Sequence, residues 1–214
     1  MNPSSEVPAG VDHLVYAVAD LKAGMDDIEQ LFGVRPARGG RHPRYGTQNA
    51  LLALGPQTYL EIIAADPQLP RPEQGRGFGV EAANLPRLET WALRRESIEA
   101  VAEYVEAMGI SLGSVASGAR EKPDGTVLTW KLSDPYACRM NGAVPFLIAW
   151  GDTPHPATSA PLAGELVSLR IMHPNPDAVR AALGAMGVNM MVEEGPEKRL
   201  LAIIQTRNKV VRLS

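Results

Sequence analysis

Two ionisable residues stand inside stretches that otherwise read as buried strand. His13 lies in Val11-Asp12-His13-Leu14-Val15-Tyr16-Ala17-Val18, and Glu61 lies in Thr58-Tyr59-Leu60-Glu61-Ile62-Ile63-Ala64. Alternate residues of a strand share a face. His13 therefore goes with Val15 and Ala17, and Glu61 with Tyr59 and Ile63. The bulkier sets, Leu14/Tyr16/Val18 and Leu60/Ile62/Ala64, belong under a helix, which turns His13 and Glu61 together to the opposite face. A carboxylate flanked by Leu60, Ile62 and Ile63 is costly to bury unless something pairs with it. The two residues need each other or a shared cation. A plain structural hydrogen bond satisfies the same pattern, so chemistry and architecture both stay open here.

The elements that must position this pair recur along the chain. An extended apolar stretch, a one-faced helix and a Gly stop appear three times, with stops at Gly33, Gly109 and Gly187. About three further extended segments follow each stop, which is a β-α-β-β-β order at a long period. The predicted modules are residues 11–65, 87–151 and 165–213, the third being the shortest. In the first, Asp20 caps a helix carrying Leu21, Met25, Ile28 and Leu31. A short strand near Val34 then leads to the loop Gly39-Gly40-Arg41-His42-Pro43-Arg44-Tyr45-Gly46. The second has Ser97 as cap, a face of Ile98, Val101, Val105 and Met108, and strands near 112–116, 126–132 and 144–150. Lys122-Pro123-Asp124-Gly125 reads as a turn between two of them. In the third, Asn175 caps and Pro176 takes the first helical position. Residues 66–86 and 151–164 read as linkers. Strands dominate and each helix covers one sheet face, so the class is α+β.

Composition sets ordinary bounds. The chain has 214 residues, 45% hydrophobic and 21% charged, with a formal net charge of −3. That balance argues against a nucleic-acid surface. Arg35, Arg38, Arg41 and Arg44 form at most a local anion-friendly patch. Cys138 is the only cysteine, so no internal disulfide forms and a reducing compartment is the simpler expectation. It has no basic neighbour in sequence that would make it a nucleophile. No signal-like or membrane-spanning run is present, and the expected location is cytoplasmic. Gly75, Gly77 and Gly79 lack the strand-to-helix setting of a phosphate loop. His155 and His173, each beside proline, are expected in exposed loops, and no serine sits in a nucleophile-elbow setting.

The first module's motifs carry a resemblance. Asp12-His13-Leu14-Val15, Gly39-Gly40-Arg41-His42-Pro43 with Gly46-Thr47 and Asn49, and Tyr59-Leu60-Glu61 resemble the glyoxalase-like domain family of the vicinal-oxygen-chelate superfamily. Pro123-Asp124-Gly125 with Trp130, and Pro145 to Ile148 with Trp150, resemble it as well. The resemblance spans about residues 11–156. It implies two βαβββ modules pairing as a half-open barrel, the third module lying C-terminal. In that superfamily each module supplies ligands to one divalent metal, which holds substrate oxygens and stabilises enolate charge as a Lewis acid.

Carried onto this chain, the resemblance makes His13 and Glu61 metal ligands, with Glu61 as ligand or catalytic base. The second module departs from the pattern: Leu88 or Glu89 stands where a histidine is wanted, and the strand Phe146-Leu147-Ile148-Ala149-Trp150 has no acid. The third offers only Ser168 and Arg212. His42, folding in from its loop, would complete a two-histidine, one-carboxylate set suited to Zn or Fe, with Mn and Ni as further options. An anion-binding or gating role fits His42 equally. His42 and Tyr45 are expected at the rim of the opening. Asn49 is expected against the ligand, and Trp130 and Trp150, with Trp91, in an aromatic pocket wall or in the core.

The implied activity is that of a metal-dependent lyase, isomerase or dioxygenase on a small oxygen-rich molecule. The alternative is a metal-free binding or sequestration protein related to bleomycin-resistance proteins. A small-molecule ligand is the expected partner, with no nucleic acid and no membrane. The odd third module either packs at a sheet edge or meets its twin in a homodimer.

Overall fold

Strand β1 (Val11–Ala17) feeds helix α1 (Leu21–Phe32), and β2 (Ala37–His42), β3 (Thr47–Ala53) and β4 (Tyr59–Ala65) follow. The next unit repeats that order as β5 (Arg87–Arg94), α2 (Ile98–Glu106), β6 (Val115–Glu121), β7 (Val127–Ser133) and β8 (Phe146–Ala149). The last has β9 (Glu165–His173), α3 (Pro176–Ala185), β10 (Val192–Glu194), β11 (Arg199–Gln205) and β12 (Val210–Leu213). This computed structural model describes residues 7–121, 127–137 and 139–214. The turn expected at 122–125 and Cys138 lie outside the described residues.

The helices begin and end as their caps dictate. Asp20 accepts from the Ala23 N–H at 2.8 Å, and Gly33 closes α1 in the left-handed conformation with φ 75°. Met25, Ile28 and Phe32 are buried, whereas Leu31, expected inside, is 37% exposed. Asn175 accepts from the Ala178 N–H at 3.2 Å and starts α3 ahead of Pro176. Ser97 precedes α2 without a side-chain cap bond, and the helix ends at Glu106, which leaves Met108 beyond its end and exposed.

The first two units form one eight-stranded sheet in the order β2-β3-β4-β1-β5-β8-β7-β6. β1 and β5 join them as an antiparallel pair, while β1–β4 and β5–β8 are parallel. The sheet curls until its two edge strands, β2 and β6, approach each other. Its helix-covered face carries Leu14, Leu60, Ile62, Leu88, Trp91, Leu93 and Leu147 in the main core. Its concave face carries Val15, Ala17, Ile63, Ala92, Phe146 and Ile148. Strand parity is therefore realised, and the two modules share one concave surface.

The third unit keeps the β-α-β-β-β element order but not the pairing. Its sheet runs β10-β9-β11-β12, with its first strand between the second and third. It is not a third half-barrel, because periodicity in sequence does not encode which strands become neighbours. It packs within the chain: Leu169, Ile171, Val179, Leu183 and Ile204 join the core that holds α1 and α2. Arg95 donates to the Met186 carbonyl at 2.9 Å, and Lys198 donates to the Leu88 and Glu89 carbonyls. The third unit is thus packed against the first two within the chain.

Four segments differ from the sequence reading. Gly39 to His42 is strand rather than loop, with a register shift between Arg38 and Arg41 that two glycines accommodate. β6 starts at Val115, since Gly113 takes φ 67° and breaks the extended run. The stretches 66–86 and 151–164 are not simple linkers. Arg76 ties the first down through the carbonyls of Gly46, Asp66 and Leu69 at 3.0, 3.4 and 3.3 Å. The second is pinned to β3 where Ala53 donates to Pro161 and Ala163 donates to Ala53. No helix among the described residues is long and apolar enough to cross a membrane.

Candidate functional site

Parallel pairing sets His13 opposite Tyr59 and Val15 opposite Glu61, so His13 and Glu61 are diagonal neighbours on the concave face. Their Nε2 and Oε2 atoms face each other at 3.6 Å. They border a pocket that His42, Tyr45, Asn49, Phe78, Trp130 and Trp150 also line. Every site residue anticipated from the sequence is thus at one cavity. Trp91 is not: it is fully buried on the other face, where its Nε1 donates to the Ala143 carbonyl at 3.0 Å.

Each polar member is held from behind. The register shift between Val11 and His13 in the β1–β5 ladder is a bulge, and it allows Asp12 to meet the His13 ring instead of pointing to the far face. Asp12 is fully buried and accepts from His13 Nδ1 at 2.7 Å, His155 Nε2 at 3.0 Å and Trp150 Nε1 at 3.1 Å. Arg94 lies 3.6 Å away. Burial alone would push this carboxyl up, but the hydrogen bonds from His13 and His155 outweigh it. They hold Asp12 well below the usual carboxylate range. On the other side Glu61 Oε1 accepts from Asn49 Nδ2 at 2.5 Å, and Asn49 Oδ1 accepts from the Gly40 N–H at 2.9 Å. The Gly39–Gly40 bulge therefore orients Asn49, and Asn49 orients Glu61.

Two of these partners were not legible beforehand. Asp12 belonged to the family motif, yet simple alternation aims it away from His13, and only the bulge reverses that. His155 was expected in an exposed loop. Its side chain is 11% exposed, because residues 151–164 fold back over β3 and carry it to Asp12.

The rest of the wall is aromatic. Tyr59 stacks on His13 with centroids 4.6 Å apart and an 18° interplanar angle, and Phe146 meets His13 edge-on at 5.4 Å. Trp130 and Trp150 tilt against each other at 5.7 Å. Phe78, from the segment read as a linker, touches Tyr45 at 5.6 Å and Phe146 at 5.7 Å. It does so from a left-handed backbone with φ 61°, an unusual state for a bulky residue. Tyr45 is buried rather than at an open rim, and burial pushes its phenol up. His42 pairs across the β2–β3 ladder with Thr47, its Nδ1 3.1 Å from Thr47 Oγ1. The arginine patch is already spent in part, with Arg35 paired to Asp26 and Glu29 and Arg41 to Asp66.

The second unit's counterparts follow from the register. His13 stands eight residues before α1, and Thr90 stands eight before α2. His13 pairs with Ala92 while Val15 pairs with Thr90, as a local two-fold requires. Ala92 pairs with Phe146 as Val15 pairs with Glu61. Thr90, not Leu88 or Glu89, therefore holds the histidine's place, and Phe146 holds the acid's. The Thr90 hydroxyl is buried with no hydrogen-bond partner among the described residues. In the third unit Ser168 has the matching position on β9, but Arg212 lies on β12, which does not neighbour β9.

A resident metal does not fit this donor set. Among the described residues no three His, Cys, Asp or Glu side chains are grouped as an ion would require, so His13, Glu61 and His42 do not form the expected trio. The pair alone offers one imidazole nitrogen and one carboxylate oxygen.

A sequence model of the glyoxalase-like domain family matches residues 11–187. No curated protein sequence matches the chain. Among solved structures, a hypothetical protein from Staphylococcus aureus is similar over 95% of this chain and 98% of its own, with TM-score 0.67 and 13% identity. Methylmalonyl-CoA epimerase from Mycobacterium tuberculosis matches over 70% of this chain and 90% of its own, with TM-score 0.42 and 17% identity. A methylmalonyl-CoA epimerase bound to methylmalonyl-CoA matches over 70% of this chain and all of its own, with TM-score 0.46 and 17% identity. With the family model matched over residues 11–187 and the curled eight-stranded sheet in place, this chain belongs to the glyoxalase-like domain family.

Proposed function

We propose that this protein acts on a small oxygen-bearing molecule held in the concave cavity, with Glu61 as the proton-accepting base and His13 beside it. One observation carries the reading: His13 Nε2 and Glu61 Oε2 face each other at 3.6 Å in the cavity wall, each anchored from behind. Asn49 occupies Glu61 Oε1 and leaves Oε2 for the ligand. A carboxylate with one oxygen tied and the other aimed into a largely apolar site is suited to take a proton from carbon next to a carbonyl. The aromatic wall holds the body of the ligand and keeps water from the pair. No step is routed through a metal, because among the described residues the facing pair brings one imidazole nitrogen and one carboxylate oxygen.

The test is proton exchange. A panel of small 2-hydroxy and 2-oxo ketones and acids, incubated with the protein in heavy water, should include at least one whose carbon-bound proton exchanges, as followed by NMR. Glu61→Gln should reduce that exchange by about 10²-fold or more, within the range expected for a lost general base. Exchange that survives Glu61→Gln would refute the role of Glu61.

A second reading, binding and sequestration without turnover, is favoured by Thr90 and Phe146 standing where a second donor pair would be. It predicts saturable binding of the same molecules with no exchange.

A further inference from the structure

We propose that Asp12 is a positioning residue that holds the neutral His13 ring with its proton on Nδ1, so that Nε2 meets the ligand as an acceptor. The group bound between His13 and Glu61 is then a hydrogen-bond donor, a hydroxyl or an N–H, and not a carboxylate or phosphate. The ligand part rests on the cavity being the functional site; the part concerning Asp12 does not.

The protons are fixed by their partners. His155 Nδ1 accepts from the Ala157 N–H at 3.3 Å, so the His155 proton sits on Nε2 and points to Asp12 Oδ2, 3.0 Å away. The Trp150 indole can only donate, and it shares Oδ2 at 3.1 Å. Oδ1 is left for His13 Nδ1 at 2.7 Å, and a carboxylate oxygen so close requires the proton there. The neutral ring then presents a bare Nε2 to the cavity. Across from it, Glu61 Oε2 is also an acceptor, because the Gly40 N–H fixes the Asn49 amide and thereby directs Nδ2 onto Oε1. Two acceptors facing at 3.6 Å invite a donor between them and repel an anion.

Asp12→Asn makes the claim sharp. Trp150 and the Ala157-locked His155 both donate, so they keep the amide oxygen on their side and turn the NH₂ toward His13 Nδ1. His13 must then move its proton to Nε2, the wrong-tautomer effect known for aspartate-backed histidines. Long-range proton–nitrogen NMR of the full chain, at alkaline pH where imidazoles are neutral, reads this directly, with His13→Gln to assign the signals. The wild type should show His13 Nδ1 protonated and Nε2 bare, and Asp12→Asn the reverse. A protonated Nε2 in the wild type overturns the proposal even if Asp12→Asn fails to fold, and so does an unchanged tautomer in a folded variant.

Phenol and benzoate then probe the ligand class. Phenol should perturb His13 Nε2 and bind roughly tenfold more weakly to Asp12→Asn, about one hydrogen bond's worth. Benzoate binding as well as phenol overturns the donor assignment. The expected tautomers with neither probe bound would count against the cavity as the ligand site and leave the role of Asp12 standing.

Discussion

The two halves of the eight-stranded sheet have the same strands in the same relation and opposite chemistry. On the helix-covered face they agree: Leu14 and Leu60 in one half, Trp91 and Leu147 in the other, all fully buried. On the concave face they diverge. One half carries His13, Glu61 and Asn49 with Asp12 behind them, and the other carries Thr90 and Phe146 at the matching places. The fold depends on the first face, since that is where area leaves water. The second face is free to vary, so one half has become the polar wall of a pocket and the other its aromatic wall. A site with one polar wall grips a ligand at one end and packs the rest, unlike a symmetric four-donor site that surrounds an ion.

The contrast breaks most visibly at Asp12. Replacing it with alanine strands three donors in the interior of the polar half, and unfolding by urea should show a loss of about 3–5 kcal/mol. An Asp12→Ala protein within 1 kcal/mol of wild type would mean that the hub is not holding the polar half together.

The same carboxylate gives the comparison a pH dependence. The Asp12 carboxyl is held below its ordinary value of 3.8 in the folded chain. Its contribution to stability is therefore full above about pH 4 and is lost as the pH falls through the folded value. The stability gap between wild type and Asp12→Asn, measured in urea at pH 7 and pH 3, should narrow at the lower pH. A gap that widens on acidification would contradict the sign.

On the aromatic wall, Phe78→Ala removes a half-buried ring carried by the segment between the halves and should cost about 1–2 kcal/mol while enlarging the cavity. Tighter binding of two-ring than one-ring aromatic probes by the variant, read by tryptophan fluorescence, would confirm that Phe78 limits ligand size. The smallest effect is expected at Thr90→Val. It removes a buried hydroxyl with no partner among the described residues, so stability should stay within about 1 kcal/mol of wild type or rise. A loss like that at Asp12 would show Thr90 to be a working group and the halves more alike than their side chains suggest.

How much of this could be read from the chain follows from which interactions are local. Alternation along β1 and β4 put His13 and Glu61 on one face, and the Gly stops and Asx caps located the helices, because both signals lie within a few residues. Asp12 escaped because a bulge, set by pairing with β5, overrides alternation at one position. His155 and Phe78 escaped because the segments carrying them look like linkers until they fold over the cavity. The third unit's strand order escaped because a β-α-β-β-β succession is compatible with more than one pairing, and packing onto α2 and β5 chose among them.

If ligand is gripped by the polar half of the concave face, its binding must be felt first at His13, Asn49 and Glu61. Mapping chemical-shift changes in the isotope-labelled full chain, while phenol or an exchanging ketone is titrated in, tests it most directly. The changes should centre on His13, Asn49 and Glu61, spread to Trp130 and Trp150, be lost in Glu61→Gln and be kept in Thr90→Val. Changes centred on Thr90, or unaltered in Glu61→Gln, would contradict it.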